Sequence, residues 1–330
     1  MKLLILSHRD VEHLLPMNEC IAVMEDALAA LARGDVHNPL RNVIRAEGAP
    51  GFLGLMPAWR GGATPSYGLK EVCVFPGNPA RGLDTHLGAV LLHSGDTGQL
   101  LAVINASAIT AIRTAAVSAV ATKLLARPDS SSLAILGAGV QARSHLEAIP
   151  LVRPIREIRV FGRSPQRVEA LIHDFDGRDG LHVAAASSAE QAVRGADVIV
   201  TATSSKEPVV HRDWIAEGAH INAAGSSVAH ARELDAATVA ASSLFVDRRE
   251  STVNESGDYL FALREGAIAG PDHIRAELGE LLIGSATGRS SAAEITLFKS
   301  LGLAIEDLAC AQYLYAKCEG GKGGSWIEFD

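Results

Sequence analysis

The hydrophobic pattern changes character twice along the chain. Ile21, Met24, Ala27, Leu28 and Leu31 recur at helical spacing over 18–33, and Gly34 stops that helix. Five short segments follow, 39–46, 51–57, 67–75, 87–93 and 100–104, rich in Val, Leu, Ile and Phe and separated by Gly, Pro, Asn and Asp clusters. They predict a mostly antiparallel sheet. The helical period returns from 107 to 127, where Ile109, Ile112, Ala116, Val117, Val120 and Leu124 mark a packed face that also carries Arg113. Strands then alternate with helices: strands at 132–136, 156–161, 181–185, 197–203, 219–223 and 243–247, and helices at 139–149, 165–174, 188–194 and 232–242. Such alternation predicts a parallel sheet wrapped by helices, so the fold class is α/β, a doubly wound sheet preceded by an α+β block. A last helical pattern runs from Ala292 to Cys318, and GGKGGSWIEF reads as a turn plus one edge segment.

The alternating half opens on SLAILGAGVQA, 132–142, a short apolar strand running into a glycine turn and a helix. Gly137 makes the tight turn, Gly139 lets a backbone approach a pyrophosphate, and Ala142 lets the helix pack close to the strand. The helix N-terminus then offers backbone N–H groups and a positive dipole end to the phosphates. A dinucleotide site follows as the working reading. The second strand ends in Phe161-Gly162-Arg163-Ser164, with a guanidinium where the NAD form of this fold carries an acid. Arg163, Ser164 and Arg167 therefore suit the 2′-phosphate of NADP(H), with NAD(H) possible if Arg163 is only a solvated loop residue.

Length and composition narrow the class. The chain has 330 residues, enough for two domains, and a formal net charge of −8 with scattered basic residues, which argues against a nucleic-acid partner. No charge-free apolar run reaches spanning length, so no membrane partner is expected. The N-terminal apolar core of five residues is too short for a secretory signal, and Cys20, Cys73, Cys310 and Cys318 lack metal-site spacing, so a cytoplasmic protein with reduced thiols and no metal is expected.

Beyond the glycine motif, GFLGLMPAW (51–59), the Lys70 strand, AITAIRTAAVSAVATKLLARPDS (108–130), LGAGVQAR (136–143), GAHINAAGSS (218–227) and EITLFKSLGLAIEDLACA (294–311) together resemble the ornithine cyclodeaminase and μ-crystallin family over nearly the whole chain. The resemblance implies a homodimer whose dimerisation and substrate domain is 1–115 with 305–330, and a Rossmann domain over 116–304. It implies that Arg41, Lys70 and Arg113 grip a substrate carboxylate, and that Gly139, Val140, Gln141, Arg163, Ser164, Thr203, Ser226 and Ser300 contact the cofactor.

The residues speak to this on their own. Arg113 is a charge on an apolar helix face and Lys70 shares a strand face with Val72 and Val74; each is either an internal ion pair or a ligand for an anion. If these cations face away from the cleft between the lobes, or are paired off with the protein's own acids, the assignment to carboxylate capture fails. By the family resemblance, Ser227 matches the position where the cyclodeaminases carry an aspartate, and a hydroxyl is a poor unaided acid or base. That favours imine reduction over ornithine cyclodeamination. The expected activity is an NADPH-linked reductase of α-imino acids, reversible toward the amino acid, with Lys70 as proton donor and His86 second. An alanine- or aspartate-forming dehydrogenase, a cyclodeaminase, and a binding protein that keeps NADPH without turnover remain the alternatives.

Overall fold

The computed structural model describes residues 2–321 and 323–329; Met1, Lys322 and Asp330, which the expected first domain includes, lie outside the described residues. Two compact units divide the chain, 1–113 with 303–330, and 114–302.

The first unit begins with strand β1 (Lys2–Leu6), helix α1 (His8–Leu14) and helix α2 (Met17–Arg33). Ser7 and Asp10 form a reciprocal capping box that starts α1. Gly34, at φ +84, ends α2 by donating to the last carbonyls. Strands β2 (Val36–His37), β3 (Asn42–Ile44), β4 (Phe52–Arg60), β5 (Ser66–Val74), β6 (His86–Ser94) and β7 (Leu100–Asn105) follow, then helix α3 (Ala106–Leu125). The division between the units falls inside α3, between Arg113 and Thr114. By length and composition α3 would suffice to cross a membrane, but 72% of its apolar window is buried within the protein, as in a core helix.

The second unit runs β8 (Ser132–Leu136), α4 (Val140–Ala148), β9 (Glu157–Phe161), α5 (Pro165–Phe175), β10 (His182–Ala185), α6 (Ala189–Val193), β11 (Val198–Thr201), β12 (His220–Ala223), α7 (Ala236–Ala241), β13 (Ser243–Val246), α8 (Arg249–Glu255), α9 (Gly257–Arg264), β14 (Ile274–Glu277), α10 (Leu278–Leu282) and β15 (Thr296–Lys299). All eight strands are parallel, in the order β10-β9-β8-β11-β12-β15-β13-β14. The order runs outward from β8 in both directions, so the sheet is doubly wound and the ends of β8 and β11 flank its switch point. Leu133, Ala134, Ile135 and Leu136 are all buried, which fits a central strand covered on both faces.

The chain then returns to the first unit with α11 (Ala304–Cys318) and β16 (Ser325–Glu328). The expected helix over 292–318 is corrected here: Thr296–Lys299 is a strand and the helix starts at Ala304. A continuous apolar run such as Ile295–Phe298 has no period by which a doubly covered strand differs from a buried helix. The first sheet has the order β16-β1-β7-β6-β5-β4-β2, with β3 also on β4; only β1 and β7 pair in parallel. Helix α11 packs across β4, β5, β6 and β7 and against α2. Beneath it the cross-strand row Met56, Lys70, Val90, Ile104 and Leu6 is buried, whereas the row on the other face, Pro57, Leu69, Leu91, Val103 and Ile5, is half-buried or exposed.

Candidate active site

Lys70 sits in the middle of that buried apolar row at 4% exposure, where an unpaired charge would be costly. Its Nζ donates to Thr110 Oγ1 at 2.7 Å and to Asp307 Oδ1 at 3.1 Å. The Thr110 hydroxyl donates to Ala106 O at 2.6 Å, which leaves its lone pairs for the ammonium. Arg113, also buried, donates from Nε to Asp307 Oδ1 at 3.2 Å and from Nη1 to Glu306 Oε2 at 2.7 Å. Both acids belong to the first turn of α11. The internal ion pair left open for Lys70 and Arg113 is therefore present, and by the condition stated above carboxylate capture by these cations fails as the sequence framed it.

The electrostatics join two further residues to the group. Burial, offset in part by Asp307 and reinforced by Arg113 and Arg41, brings the Lys70 pKa from 10.5 down to about 8. Burial is the larger cause, ahead of the neighbouring guanidinium groups. Burial also opposes the charge of Arg113, but Asp307 and Glu306 outweigh it and raise that pKa. His86, at the start of β6, has its pKa lowered by desolvation and then by the positive charge of Lys70, although its side chain keeps solvent contact. Arg41, Lys70, His86 and Arg113 thus share one electrostatic environment in the first unit.

In the second unit, Gly137 takes φ +124 and its N–H donates to Phe161 O at 2.8 Å. A Cβ there would lie 2.4 Å from Ala202 O, so the turn requires glycine. Gly139 is the N-cap of α4, has no protein atom within 4 Å of the position a Cβ would take, and leaves the helix start without a side-chain cap. Open space at a bare helix N-terminus fits a pyrophosphate. Val140 is 63% exposed at that end. Arg163 and Arg167 are exposed beyond β9; Arg163 Nη2 donates to Ser204 Oγ at 3.2 Å, and Ser164 caps α5 by accepting from Arg167 N.

A buried polar network absent from the sequence reading ties down the strand ends. Glu233 accepts from Thr201 Oγ1, from Thr203 N and Oγ1, and from Gly225 N, all within 2.8 Å. Asp258 Oδ1 accepts from Glu233 N and Leu234 N, and its Oδ2 lies 2.9 Å from Lys299 Nζ. Lys299 in turn donates to Ala223 O at 3.2 Å and Ser226 O at 2.5 Å. The Thr203 hydroxyl proton is spent on Glu233 and that of Ser226 on Ala231 O, so each can offer a ligand only lone pairs or its backbone. Ser227 is half-buried in the same loop, and Ser300 is buried with its N–H on Ala223 O. The acids Glu306, Asp307, Glu233 and Asp258 were missed, because Glu306 and Asp307 read as ordinary first-turn acids of a helix and Glu233 stands between Arg232 and Leu234 with no apolar run beside it. Among the described residues no cluster of three His, Cys, Asp or Glu side chains could hold a metal ion.

A model of the ornithine cyclodeaminase/mu-crystallin family matches residues 1–322. The chain belongs to that family. It is 40% identical to the ketimine reductase mu-crystallin of Mus musculus over 314 residues, 94% of this chain and 96% of that protein. Among solved structures, the Δ1-pyrroline-2-carboxylate reductase of Thermococcus litoralis, in complex with NADH and L-proline, superposes with a TM-score of 0.94 at 41% identity and covers 98% of this family member and 99% of its own chain. An archaeal alanine dehydrogenase dimer with bound NAD gives 0.93 at 36% identity, with both chains covered in full.

Proposed function

We propose that this protein is an NAD(P)H-dependent reductase of α-imino acids that forms the corresponding amino acid. The observation that carries the reading is the Lys70 ammonium, buried beside Arg113 with a pKa near 8. An ammonium has three donors and a guanidinium five. Lys70 Nζ is within hydrogen-bond distance of Thr110 Oγ1 and of both Asp307 oxygens, and Arg113 spends two of its five donors on Asp307 and Glu306. The remaining donors, with Arg41, form the carboxylate clamp, so pairing with α11 orients these cations without exhausting them. Holding the carboxylate fixes the adjacent C=N carbon for attack. A reduced nicotinamide, when bound, supplies the hydride. Lys70 gives its proton to the imine nitrogen and is reprotonated from water; His86 is the second candidate for that step.

The turn at Gly137 and Gly139 and the start of α4 hold the dinucleotide, with Thr203, Ser226 and Ser300 toward the nicotinamide. NADP(H) is preferred over NAD(H), because Arg163, Ser164 and Arg167 follow β9 where an acid would repel a 2′-phosphate. The hydroxyl of Ser227 disfavours cyclodeamination. Reductive amination of a keto acid is a second reading, favoured by the likeness to an alanine dehydrogenase. The half-exposed apolar row from Pro57 to Ile5 supports a homodimer, which sedimentation velocity tests. The four cysteines are free, with Cys20 and Cys310 thiols 3.9 Å apart in the core, which supports a reducing, cytoplasmic setting that fractionation checks.

A panel of cyclic and linear imino acids, each with NADPH and NADH, tests the assignment by loss of cofactor absorbance. Turnover without added ammonia is expected. Oxidation that needs a keto acid plus ammonia supports the second reading, and cofactor binding with no oxidation overturns both.

A further inference from the structure

We infer that Asp307 is the positioning residue of this site: one buried carboxylate, seated on α11, sets the spacing of Lys70 and Arg113 and aims the ammonium. The inference rests on the imine-reductase reading and deepens it. Asp307 Oδ1 accepts from Lys70 Nζ at 3.1 Å and from Arg113 Nε at 3.2 Å, so a single atom joins cations from β5 and α3.

The register of α11 is what brings that atom there. Gly68 lies two residues before Lys70 on the same face of β5, and a Cβ on it would stand 2.9 Å from Leu308 Cδ1. The missing side chain admits Leu308 against the strand and so seats Asp307 beside Lys70. Asn38 Oδ1 accepts from Ile305 N at 2.8 Å and pins the start of the helix on the other side. Thr110 completes the arrangement, since Lys70 is held between its hydroxyl and Asp307. A charge that served folding alone would be satisfied by any acid in reach; here the acid is shared, and its helix is fixed on both sides of it.

The charged groups that act on Lys70 are Asp307 from α11, Arg113 from α3 and Arg41 ahead of β3; His86 on β6 feels the Lys70 charge, and Glu306 and Cys310 on α11 bear on Arg113 beside it. Of these, Asp307 is the one that holds Lys70 protonated, while burial and the two guanidinium groups oppose it. Neutralising Asp307 therefore lets the ammonium lose its proton at lower pH.

The test uses full-length wild type, Asp307→Asn and Asp307→Glu, with Δ1-pyrroline-2-carboxylate and NADPH from acid to alkaline pH. Wild-type kcat/KM falls on the alkaline side near pH 8. In Asp307→Asn that fall moves down by about one unit or more, and kcat drops by about tenfold or more at neutral pH. Asp307→Glu restores the wild-type position of the fall while kcat stays low, because charge returns but reach does not. An Asp307→Asn protein that binds NADPH normally and keeps the fall in place overturns the inference. Should that variant not fold, Asp307→Glu decides alone: lowered kcat with an unmoved fall supports the positioning role, and wild-type kcat overturns it. A wild type that reduces no imino acid instead removes the functional reading itself, and an active wild type without an alkaline fall removes both Lys70 as donor and Asp307 as its guide.

Discussion

Replacing Gly137 and Gly139 by alanine, one at a time, separates what the turn does for the fold from what it does for a dinucleotide. At Gly137 the backbone has φ +124 and the new Cβ would stand 2.4 Å from Ala202 O. Neither side gives way easily, since Ala202 N–H donates to Leu136 O and Gly137 N–H to Phe161 O, both at 2.8 Å. The backbone conformation alone costs a residue with a Cβ about 1–2 kcal/mol, and the forced shift of two strand ends brings the expected loss to about 2–4 kcal/mol. For a unit of this size that lowers Tm by roughly 5–12 °C. At Gly139 no protein atom lies within 4 Å of the added methyl, so stability stays within about 0.5 kcal/mol of wild type. The same methyl takes up the space where a pyrophosphate meets α4, and the NADPH Kd rises by about tenfold or more, or about 1.4 kcal/mol. Differential scanning calorimetry and NADPH fluorescence titration read the two effects separately. A Gly139→Ala protein that binds NADPH like wild type, or a Gly137→Ala protein that melts like it, refutes the reasoning.

Three further outcomes are expected. Arg163→Asp shifts the ratio of kcat/KM for NADPH over NADH toward NADH by about tenfold or more, the lower end for an exposed charged hydrogen bond; steady-state kinetics with both cofactors would expose an unchanged ratio. Lys70→Ala lowers kcat for imino-acid reduction by about 10²–10⁴-fold while NADPH affinity holds, and full activity with normal substrate affinity would remove Lys70 from the scheme. Lys299→Met strands Asp258 as a buried charge without its partner, which costs about 3–5 kcal/mol in urea unfolding and raises the cofactor KM through the loosened Ser226 loop; a variant as stable as wild type would show the ion pair to be dispensable.

The order of elements could be read from periodicity wherever a strand or helix was bounded by its own breakers. Strand 132–136 lies where the pattern put it, because Ser132 and Gly137 bracket four consecutive apolar residues. Helix α2 stops at Gly34 for the reason the sequence offers, a left-handed C-cap. Reading failed where the signal was local and the answer was not. The run before Ser300 carried no period that tells β15 from a helix, and β1 and α1 were passed over because MKLLILSHRD is too short to show a period of either kind. Helices α8, α9 and α10 are short, and the start of α8 is satisfied from far along the chain, by Glu277, which accepts from Arg249 N at 2.8 Å. Such long-range caps leave no mark within a window of neighbouring residues.

The site was legible in its cations and not in its acids, and the asymmetry has a physical cause. Lys70 and Arg113 stand out as charges on apolar faces, whereas Glu306 and Asp307 sit at a helix start, where acids are common because they complement the macrodipole. An ordinary first-turn pair gives no hint that both side chains are buried. Taking any internal ion pair as fatal to carboxylate capture was too coarse a test. An ammonium flanked by Met56 and Val90 has to be paired for the protein to fold at all, since a lone buried charge is prohibitively expensive. The discriminating quantity is the number of donors left once the pair is made. Lys70 and Arg113 together make five hydrogen bonds to Thr110, Glu306 and Asp307, against eight donors that an ammonium and a guanidinium possess. An anion with two oxygens can therefore still be held by groups whose directions are already set, and the ordering that carboxylate binding would otherwise require has been met in the folding of α11 onto β5.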